Sequence, residues 1–230
     1  MSVDVTAIAE LTEVRRRESV AVTVATRALD MTIAGLVLLV LVPVLAVTAL
    51  AVRMSSPGPV LFRQRRLGRG MRPFTVLKFR TMCADADAAL HREYVKSLLG
   101  NETEAAQNAP EGGLYKLVID PRVTGVGRFL RSWSLDEVPQ LINVLRGEMS
   151  LVGPRPVIEY EVEQYPDWYL RRFAVKPGLT GLWQVSGRNE TTYEEMVRFD
   201  IEYAERRSLW LDLRILARTA LVVVRRQGVA

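Results

Sequence analysis

One long apolar segment near the start of the chain dominates the hydropathy pattern. Residues Met31–Val52 occupy 22 positions and include no charged side chain. At about 1.5 Å per residue, a helix of this length extends about 33 Å, enough to cross a hydrocarbon core about 30 Å thick. A buried helix of a soluble protein would normally show one apolar stripe rather than an apolar surface all round. The pattern therefore predicts a membrane helix.

Pro43 lies near the middle of this segment and bears on how it enters the bilayer. Proline inside a helix removes a hydrogen bond and kinks or breaks the helix. Arginines precede the segment at positions 15–17 and 27, and a basic block follows it. Because positive flanks stay in the cytoplasm, a straight span would carry one of them across the membrane. We therefore predict a re-entrant hairpin bent at Pro43, with a single straight span as the alternative.

Shorter apolar segments follow, separated by turn-forming residues. Val60–Phe62 and Phe74–Leu77 flank the sequence Gly68–Gly70, which predicts a β-hairpin. Residues 83–112 are rich in alanine and acidic side chains, typical of a surface helix and a mobile loop. Near the end of the chain, Leu209–Val224 predicts an amphipathic helix at the membrane interface, with its tryptophan near the headgroups.

These elements predict a mixed α/β, helix-rich fold with a small β-sheet and interfacial amphipathic helices. The predicted parts are a polar lead (1–26), a re-entrant membrane helix (27–54), and a cytoplasmic domain ending in the interfacial helix (55–230).

The scarcity of cysteine and histidine excludes several kinds of chemistry. The 230-residue chain contains 1 Cys and 1 His. A disulfide-stapled fold and a four-ligand zinc site therefore cannot form within the chain. A Ser-His-Asp triad could use only His91, which lies in a polar stretch with no serine elbow. Catalysis must then depend on carboxylates, basic side chains, backbone groups or a hard metal ion.

The positive charge is concentrated directly after the apolar segment. The net charge is +5, yet Arg53–Arg80 alone holds eight basic residues and no acidic residue. Such a block favours a phosphate-bearing ligand: a lipid headgroup, a nucleotide or a nucleic acid. A solvated basic loop is the alternative.

A candidate catalytic segment begins at Ser134. Its sequence Ser-Leu-Asp-Glu matches a capping box, with Ser134 as the N-cap of a following helix, although Pro139 would then strain that helix. The same acids also suit chemistry. Asp136 lies among arginines in the sequence, which favours an ionised carboxylate that can act as a nucleophile or metal ligand. Both interpretations remain open at this point.

Several motifs in one order resemble a known family. They are Arg27–Asp30, Ser56–Gln64, Leu77–Met82, Arg131–Ser150, Val152–Pro156 and Lys176–Arg188. Together they resemble the bacterial sugar transferases, the monotopic phosphoglycosyl transferases that start glycoconjugate assembly on polyprenyl phosphate. The similarity extends over roughly residues 27–230. The resemblance implies the short form of the family, or a longer member trimmed of its N-terminal part.

The resemblance implies a two-step reaction on an Asp-Glu dyad, here Asp136 and Glu137. Asp136 would attack the β-phosphate of a UDP-sugar and release UMP, and polyprenyl (undecaprenyl) phosphate would then accept the sugar phosphate. The resemblance also implies Mg²⁺, with Asp136 and Glu137 as its protein ligands.

The resemblance further implies a set of substrate-binding residues. Those matched to phosphate contacts are Lys78, Arg80, Arg131 and Arg188. Pro154, Arg155 and Pro156 match a segment near the uridine, and Asp200 matches a further acid. Each has an ordinary structural alternative: Lys78 and Arg80 could bind lipid headgroups, Arg188 could fix a turn, and Asp200 could pair with Arg198 or Arg206 at the surface.

The expected partners are a UDP-sugar, the polyprenyl phosphate lipid and the inner leaflet of the bacterial cytoplasmic membrane, with the catalytic domain on the cytoplasmic face. No nucleic-acid partner is expected, and a homodimer is left open. Two other hypotheses are a membrane-anchored scaffold without catalysis and a membrane-tethered nucleic-acid binder. The basic block lacks the interleaved aromatic residues of single-strand binders, which argues against the second.

Overall fold

The apolar segment forms a single long helix. The computed structural model describes residues 20–83, 122–186 and 192–225. Within them, helix α1 extends over Val20–Ser55 and is continuous through Pro43. It is the one helix of the described residues long and apolar enough to cross a membrane. The predicted bend at Pro43 is not confirmed and stays a prediction, and α1 includes positions 20–26 that the sequence assigned to the polar lead.

Both ends of α1 pack on the rest of the protein, while the stretch 39–44 around Pro43 is largely exposed. Near the start, Thr26, Asp30 and Ala34 are buried, and near the end Thr48 and Val52 are buried. Between these zones, large apolar side chains are exposed, among them Leu36, Leu39, Val40, Val42, Val44 and Val47. The helix therefore contacts the folded domain at two places separated by an apolar, uncovered stretch.

The predicted hairpin is confirmed. Strands β1 (Leu61–Leu67) and β2 (Pro73–Phe79) pair antiparallel, from Leu61 opposite Phe79 to Leu67 opposite Pro73. A short 3₁₀ turn, Arg69–Met71, connects them. Gly70 has a φ of +63° there, a conformation in which glycine is unstrained.

The remaining elements surround a second, smaller strand pair. They are α2 (Gly125–Ser132), a 3₁₀ helix (Leu135–Glu137), α3 (Gln140–Arg146), β3 (Ser150–Val152), α4 (Glu159–Val162), a 3₁₀ helix (Asp167–Ala174), β4 (Gly178–Thr180), α5 (Leu182–Ser186), α6 (Tyr193–Arg206) and α7 (Leu209–Arg225). Strands β3 and β4 pair in parallel. The helix-rich mixed α/β class with small sheets is confirmed.

The main core lies where α1, α3, β3 and α7 meet. Its buried side chains include Ala34, Leu141, Val144, Met149, Leu151 and Ile215. A second cluster lies between α6 and the 3₁₀ helix Asp167–Ala174, and a third joins Val52, Phe79 and Leu130. The predicted C-terminal helix is confirmed as α7, where Trp210 is exposed and Ile215 is buried. Its placement at a membrane interface stays a prediction.

Candidate active site

The two acids of the Ser134–Glu137 segment lie at a sharp turn, not in a capped helix. Ser134 adopts a left-handed conformation with a φ of +54° and makes no capping hydrogen bond. Leu135–Glu137 forms a single 3₁₀ turn, and α3 starts only after Pro139, which takes the N-cap position. The capping-box interpretation is therefore wrong. The physical reason is that Pro139 has no N–H, so it fits better just outside the helix than within it.

Strand β2 brings a lysine to this turn. The Nζ of Lys78 lies 2.6 Å from Oε1 of Glu137. Both side chains are about one-third exposed, so the ion pair faces accessible space and contributes little to stability. Its chemical effect is to place a cation next to the acidic dyad, Asp136 and Glu137.

Asp136 is buried, and within the described residues its carboxylate accepts a hydrogen bond from its own backbone N–H but from no side chain. Burial and the neighbouring Glu137 raise the pKa of its carboxyl, while Lys78, Arg131 and its own backbone N–H lower it, and the net pKa is raised. The expectation that neighbouring arginines give this carboxyl a lowered pKa is therefore wrong, because burial outweighs them. Among the described residues the other buried aspartates are Asp30, Asp200 and Asp212. Each of those accepts a hydrogen bond from another side chain. No described side chain donates one to Asp136, so its oxygens are available for a ligand.

Helix α2 positions Arg131 near the dyad. A Cβ added to Gly127 would lie 2.0 Å from the carbonyl oxygen of Thr81, which shows that α2 packs directly on the chain after β2. Thr124 caps the helix by accepting a hydrogen bond from the Gly127 N–H. Arg131 then donates through Nε to Oγ1 of Thr81 at 3.0 Å. This packing holds a second cation within electrostatic range of Asp136.

Arg80 lies against the end of α1. Its Nη2 donates to the carbonyl oxygen of Ser56 at 2.6 Å and to that of Val52 at 3.3 Å. Arg80 is buried, and its Nε and Nη1 have no hydrogen-bond partner among the described residues. The structure therefore gives Arg80 a contact with the end of α1, two positions along the chain from Lys78.

Three consecutive residues, Pro154–Pro156, form a turn directly after β3, here termed the Pro-Arg-Pro turn. All three of its carbonyl oxygens accept hydrogen bonds. The donors are the N–H of Gly178 at 2.8 Å, Nη2 of Arg172 at 3.4 Å and Nη1 of Arg66 at 2.7 Å, in chain order. Burial, and then the like charge of Arg155, lower the pKa of Arg66 to about 10, and Glu137 acts in the opposite direction. Arg66 therefore lies within electrostatic range of both the turn and the dyad.

Asp200 lies inside the protein. It forms an ion pair with Arg172, and both side chains are 1% exposed. The alternative that placed Asp200 in a surface pair is wrong, because Arg198 pairs with Glu194 and Arg206 with Glu202. Arg188, the last of the predicted substrate-binding residues, is outside the described residues.

Sequence reasoning did not select three buried polar residues around this site. Asn143 is fully buried; its Oδ1 accepts from the Leu77 N–H, and its Nδ2 donates to the Thr75 carbonyl. It thereby attaches α3 to β2. A polar residue in the apolar run of α3 was the available signal for it. Arg66 and Arg172 had no comparable local signal, since their partners lie far along the chain.

The dyad suits a magnesium ion. The described residues contain no group of three or more His, Cys, Asp or Glu side chains that could enclose a metal. Mg²⁺ does not need one, since it usually binds through one or two carboxylates and takes water and substrate phosphates as its other ligands. The carboxylate of Asp136, to which no described side chain donates, and that of the adjacent Glu137 fit that requirement.

Comparison with known proteins identifies the family. The family model described as "Bacterial sugar transferase" matches residues 21–226. The chain belongs to the bacterial sugar transferases. The match extends from α1 to the end of α7, so the long helix and the acidic turn both belong to the part of the chain that defines the family.

The curated relatives carry related names. One is the undecaprenyl-phosphate galactose phosphotransferase of Salmonella typhimurium, 47% identical over 171 residues, covering 74% of this chain and 34% of the relative. The UDP-glucose:undecaprenyl-phosphate glucose-1-phosphate transferase of Escherichia coli is 46% identical over 198 residues, covering 83% and 38%. The exopolysaccharide production protein ExoY of Sinorhizobium fredii is 43% identical over 205 residues, covering 88% and 86%. The chain thus spans between a third and two fifths of the length of the first two relatives, and most of the third.

Proposed function

We propose that this bacterial sugar transferase moves a sugar-1-phosphate from a UDP-sugar to polyprenyl (undecaprenyl) phosphate and releases UMP. The observation that carries the proposal is Asp136, a buried carboxylate with two nearby cations and no side-chain donor among the described residues. A carboxylate oxygen to which no described side chain donates can act as a nucleophile toward phosphorus. The names of the two phosphotransferase relatives support the substrate classes.

The proposed chemistry has two displacements at one phosphorus. In the first, an oxygen of Asp136 bonds to the β-phosphorus, and the bond from that phosphorus to the bridging oxygen breaks. The electron pair leaves with UMP, and the sugar phosphate stays on the enzyme as a mixed anhydride. In the second, a phosphate oxygen of the lipid bonds to the same phosphorus, and the Asp136 carboxylate leaves. A covalent intermediate allows a soluble donor and a membrane acceptor to use one site in turn.

The basic groups around Asp136 have defined tasks in this scheme. Lys78, held by Glu137, and Arg131, held by Thr81, present positive charge where the phosphates carry negative charge. Asp136 and Glu137 would hold Mg²⁺, which would supply further charge neutralisation to the diphosphate. Burial of Asp136 limits access of bulk water, which would otherwise hydrolyse the anhydride.

The membrane geometry is part of the proposal. Arg27 near the start of α1 donates to the Val144 and Leu145 carbonyls, and Val52 near its end packs with Phe79 and Leu130. Since one folded domain contacts both ends, both ends belong on one side of the bilayer, with the exposed apolar middle in the inner leaflet. A cysteine placed in the N-terminal lead should be labelled in intact cells only by membrane-permeant reagents. Labelling by an impermeant reagent would overturn this topology.

The central test uses detergent-solubilised protein with Mg²⁺ and either UDP-galactose or UDP-glucose, with UMP release as the readout. Donor labelled in the sugar should become covalently attached to the protein when no lipid acceptor is present, and addition of polyprenyl phosphate should remove the label. Asp167→Asn, which changes an exposed aspartate, serves as the matched control for Asp136→Asn. Label retained by the Asp136→Asn protein would contradict the nucleophile assignment.

A further inference from the structure

We propose that Arg66 and the buried Arg172–Asp200 pair are positioning residues that fix the Pro-Arg-Pro turn, so that Arg155 binds the diphosphate of the nucleotide donor. This inference rests on the proposed function. It assigns the buried pair a role in recognising the donor, and no role in binding the lipid acceptor.

The turn depends on donors from outside itself. Proline has no N–H, so Pro154 and Pro156 cannot anchor the backbone by donating hydrogen bonds. What the segment offers is the Arg155 N–H, which hydrogen-bonds to the Asp200 carboxylate, and its carbonyl oxygens. A buried carbonyl needs a partner. Gly178, Arg172 and Arg66 each supply one, from β4, from the 3₁₀ helix before it and from β1. Three separate elements therefore converge on three consecutive carbonyls.

The pair behind the turn is difficult to explain by stability alone. Arg172 and Asp200 are each 1% exposed, and an apolar replacement of a buried ion pair is often as stable or more stable. Burial lowers the pKa of Arg172, but Asp200 and the neighbouring acids outweigh it, so the net pKa is raised. A permanently charged donor is thereby kept inside the protein, directed at the Arg155 carbonyl and at the hydroxyl of Tyr165.

The hydrogen bonds to the three carbonyls fix the backbone that carries Arg155. Pro154, Arg155 and Arg172 line one small pocket together with the hairpin residues Leu67 and Gly68. Arg155 is close enough to Arg66 for their like charges to repel. Glu137 of the dyad attracts the guanidinium of Arg66. An anion beside Arg155 would relieve this repulsion, and arginine binds phosphate groups through two parallel hydrogen bonds.

The test is a double-mutant cycle between Arg172→Lys and Arg155→Ala. In a two-step reaction of this kind, kcat/KM for the donor reports the first displacement and kcat/KM for the lipid reports the second. We expect Arg155→Ala to lower kcat/KM for the donor roughly 10- to 100-fold, the usual range for a hydrogen bond to a charged group. Arg172→Lys should lower it about 10-fold alone and add nothing in the Arg155→Ala background. The kcat/KM for polyprenyl phosphate should stay within about twofold throughout.

Matched variants separate positioning from stability. Arg171→Lys changes the neighbouring, half-exposed arginine that pairs with Glu205 and should leave both kcat/KM values unchanged. Arg172→Lys should lower the melting temperature equally in both backgrounds, because stability does not depend on Arg155. If Arg172→Lys does not fold, Arg66→Lys takes its place in the same cycle, as it acts on the turn from the other side.

Equal losses in both half-reactions, or a donor loss as large without Arg155 as with it, would overturn the positioning role. Failure of the proposed function is a distinct result: the unaltered protein would then release no UMP from either donor.

Discussion

Asp136 and Asp200 are both buried aspartates, and they differ in what their carboxylates contact. Asp200 is held by the guanidinium of Arg172 in a fully enclosed pair. Asp136 has cations nearby and accepts a hydrogen bond from its own backbone N–H, but no side chain among the described residues donates to it. Burial raises the pKa of both side chains, to about 6 for Asp200. The comparison shows that burial alone does not mark a reactive acid: the carboxylate without a side-chain donor among the described residues is the one available for chemistry.

Asp136→Asn should have the largest effect on activity. Removing a covalent nucleophile is expected to lower turnover by several powers of ten, about 4 kcal/mol or more in the barrier. The fold should be nearly unaffected, because a buried carboxylate whose charged form is disfavoured by burial is replaced by a neutral group of the same shape. UMP release tests the expected loss of turnover, and the melting temperature of the same preparation tests the expected stability. Full turnover would refute the role of Asp136.

Asp200→Asn should give the opposite pattern, with stability as its main loss. It leaves the Arg172 charge buried without its partner, which typically costs about 3–5 kcal/mol. For a chain of this size the melting temperature should fall by roughly 6–20 °C. Glu202→Gln, which removes only an exposed partner of Arg206, should change it by no more than about 2 °C. A melting curve for Asp200→Asn that matches the unaltered protein would contradict the comparison.

Lys78→Met should lower UMP release by about 100-fold while leaving stability nearly unchanged. The lysine is partly exposed and its ion pair with Glu137 adds little to folding, but its charge faces the phosphates in the proposed reaction. Arg63→Met, on the exposed side of the same hairpin, is the control and should retain activity. Comparable losses in the two variants would show that the hairpin contributes only general positive charge.

Gly127→Ala should have the smallest effect of the four substitutions. It should alter the surroundings of Asp136 and leave those of Asp200 unchanged. Its Cβ would lie 2.0 Å from the Thr81 carbonyl oxygen, so α2 must move away and carry Arg131 with it. Overpacking of this kind typically costs about 1–3 kcal/mol. Gly125→Ala, in the same helix with open space around it, should be neutral or slightly stabilising. Identical melting temperatures for the two variants would show that α2 is not tightly seated.

The parts of this fold that were predictable have local signals in the chain. The uncharged run of α1, the glycines between β1 and β2, and the apolar pattern of α7 each predicted the right element. The parts that were missed depend on distant partners: no local pattern couples Arg172 to Asp200 or Asn143 to β2. Ser134 was assigned wrongly as a possible N-cap because a capping sequence and a left-handed turn share the same residues, and only Pro139 distinguishes them. The candidate site residues themselves came from the family resemblance and await the experiments above.

The two-ended attachment of α1 has a consequence for how this protein can exist outside a bilayer. Ala34 belongs to the main core and Val52 to the cluster with Phe79 and Leu130. Helix α1, which would anchor the protein in the bilayer, thus also contributes side chains to its hydrophobic core. Deleting α1 would not give a shorter, water-soluble protein, because it would remove buried side chains from two hydrophobic clusters. Solubilisation must therefore cover the exposed apolar stretch with detergent and leave the helix in place.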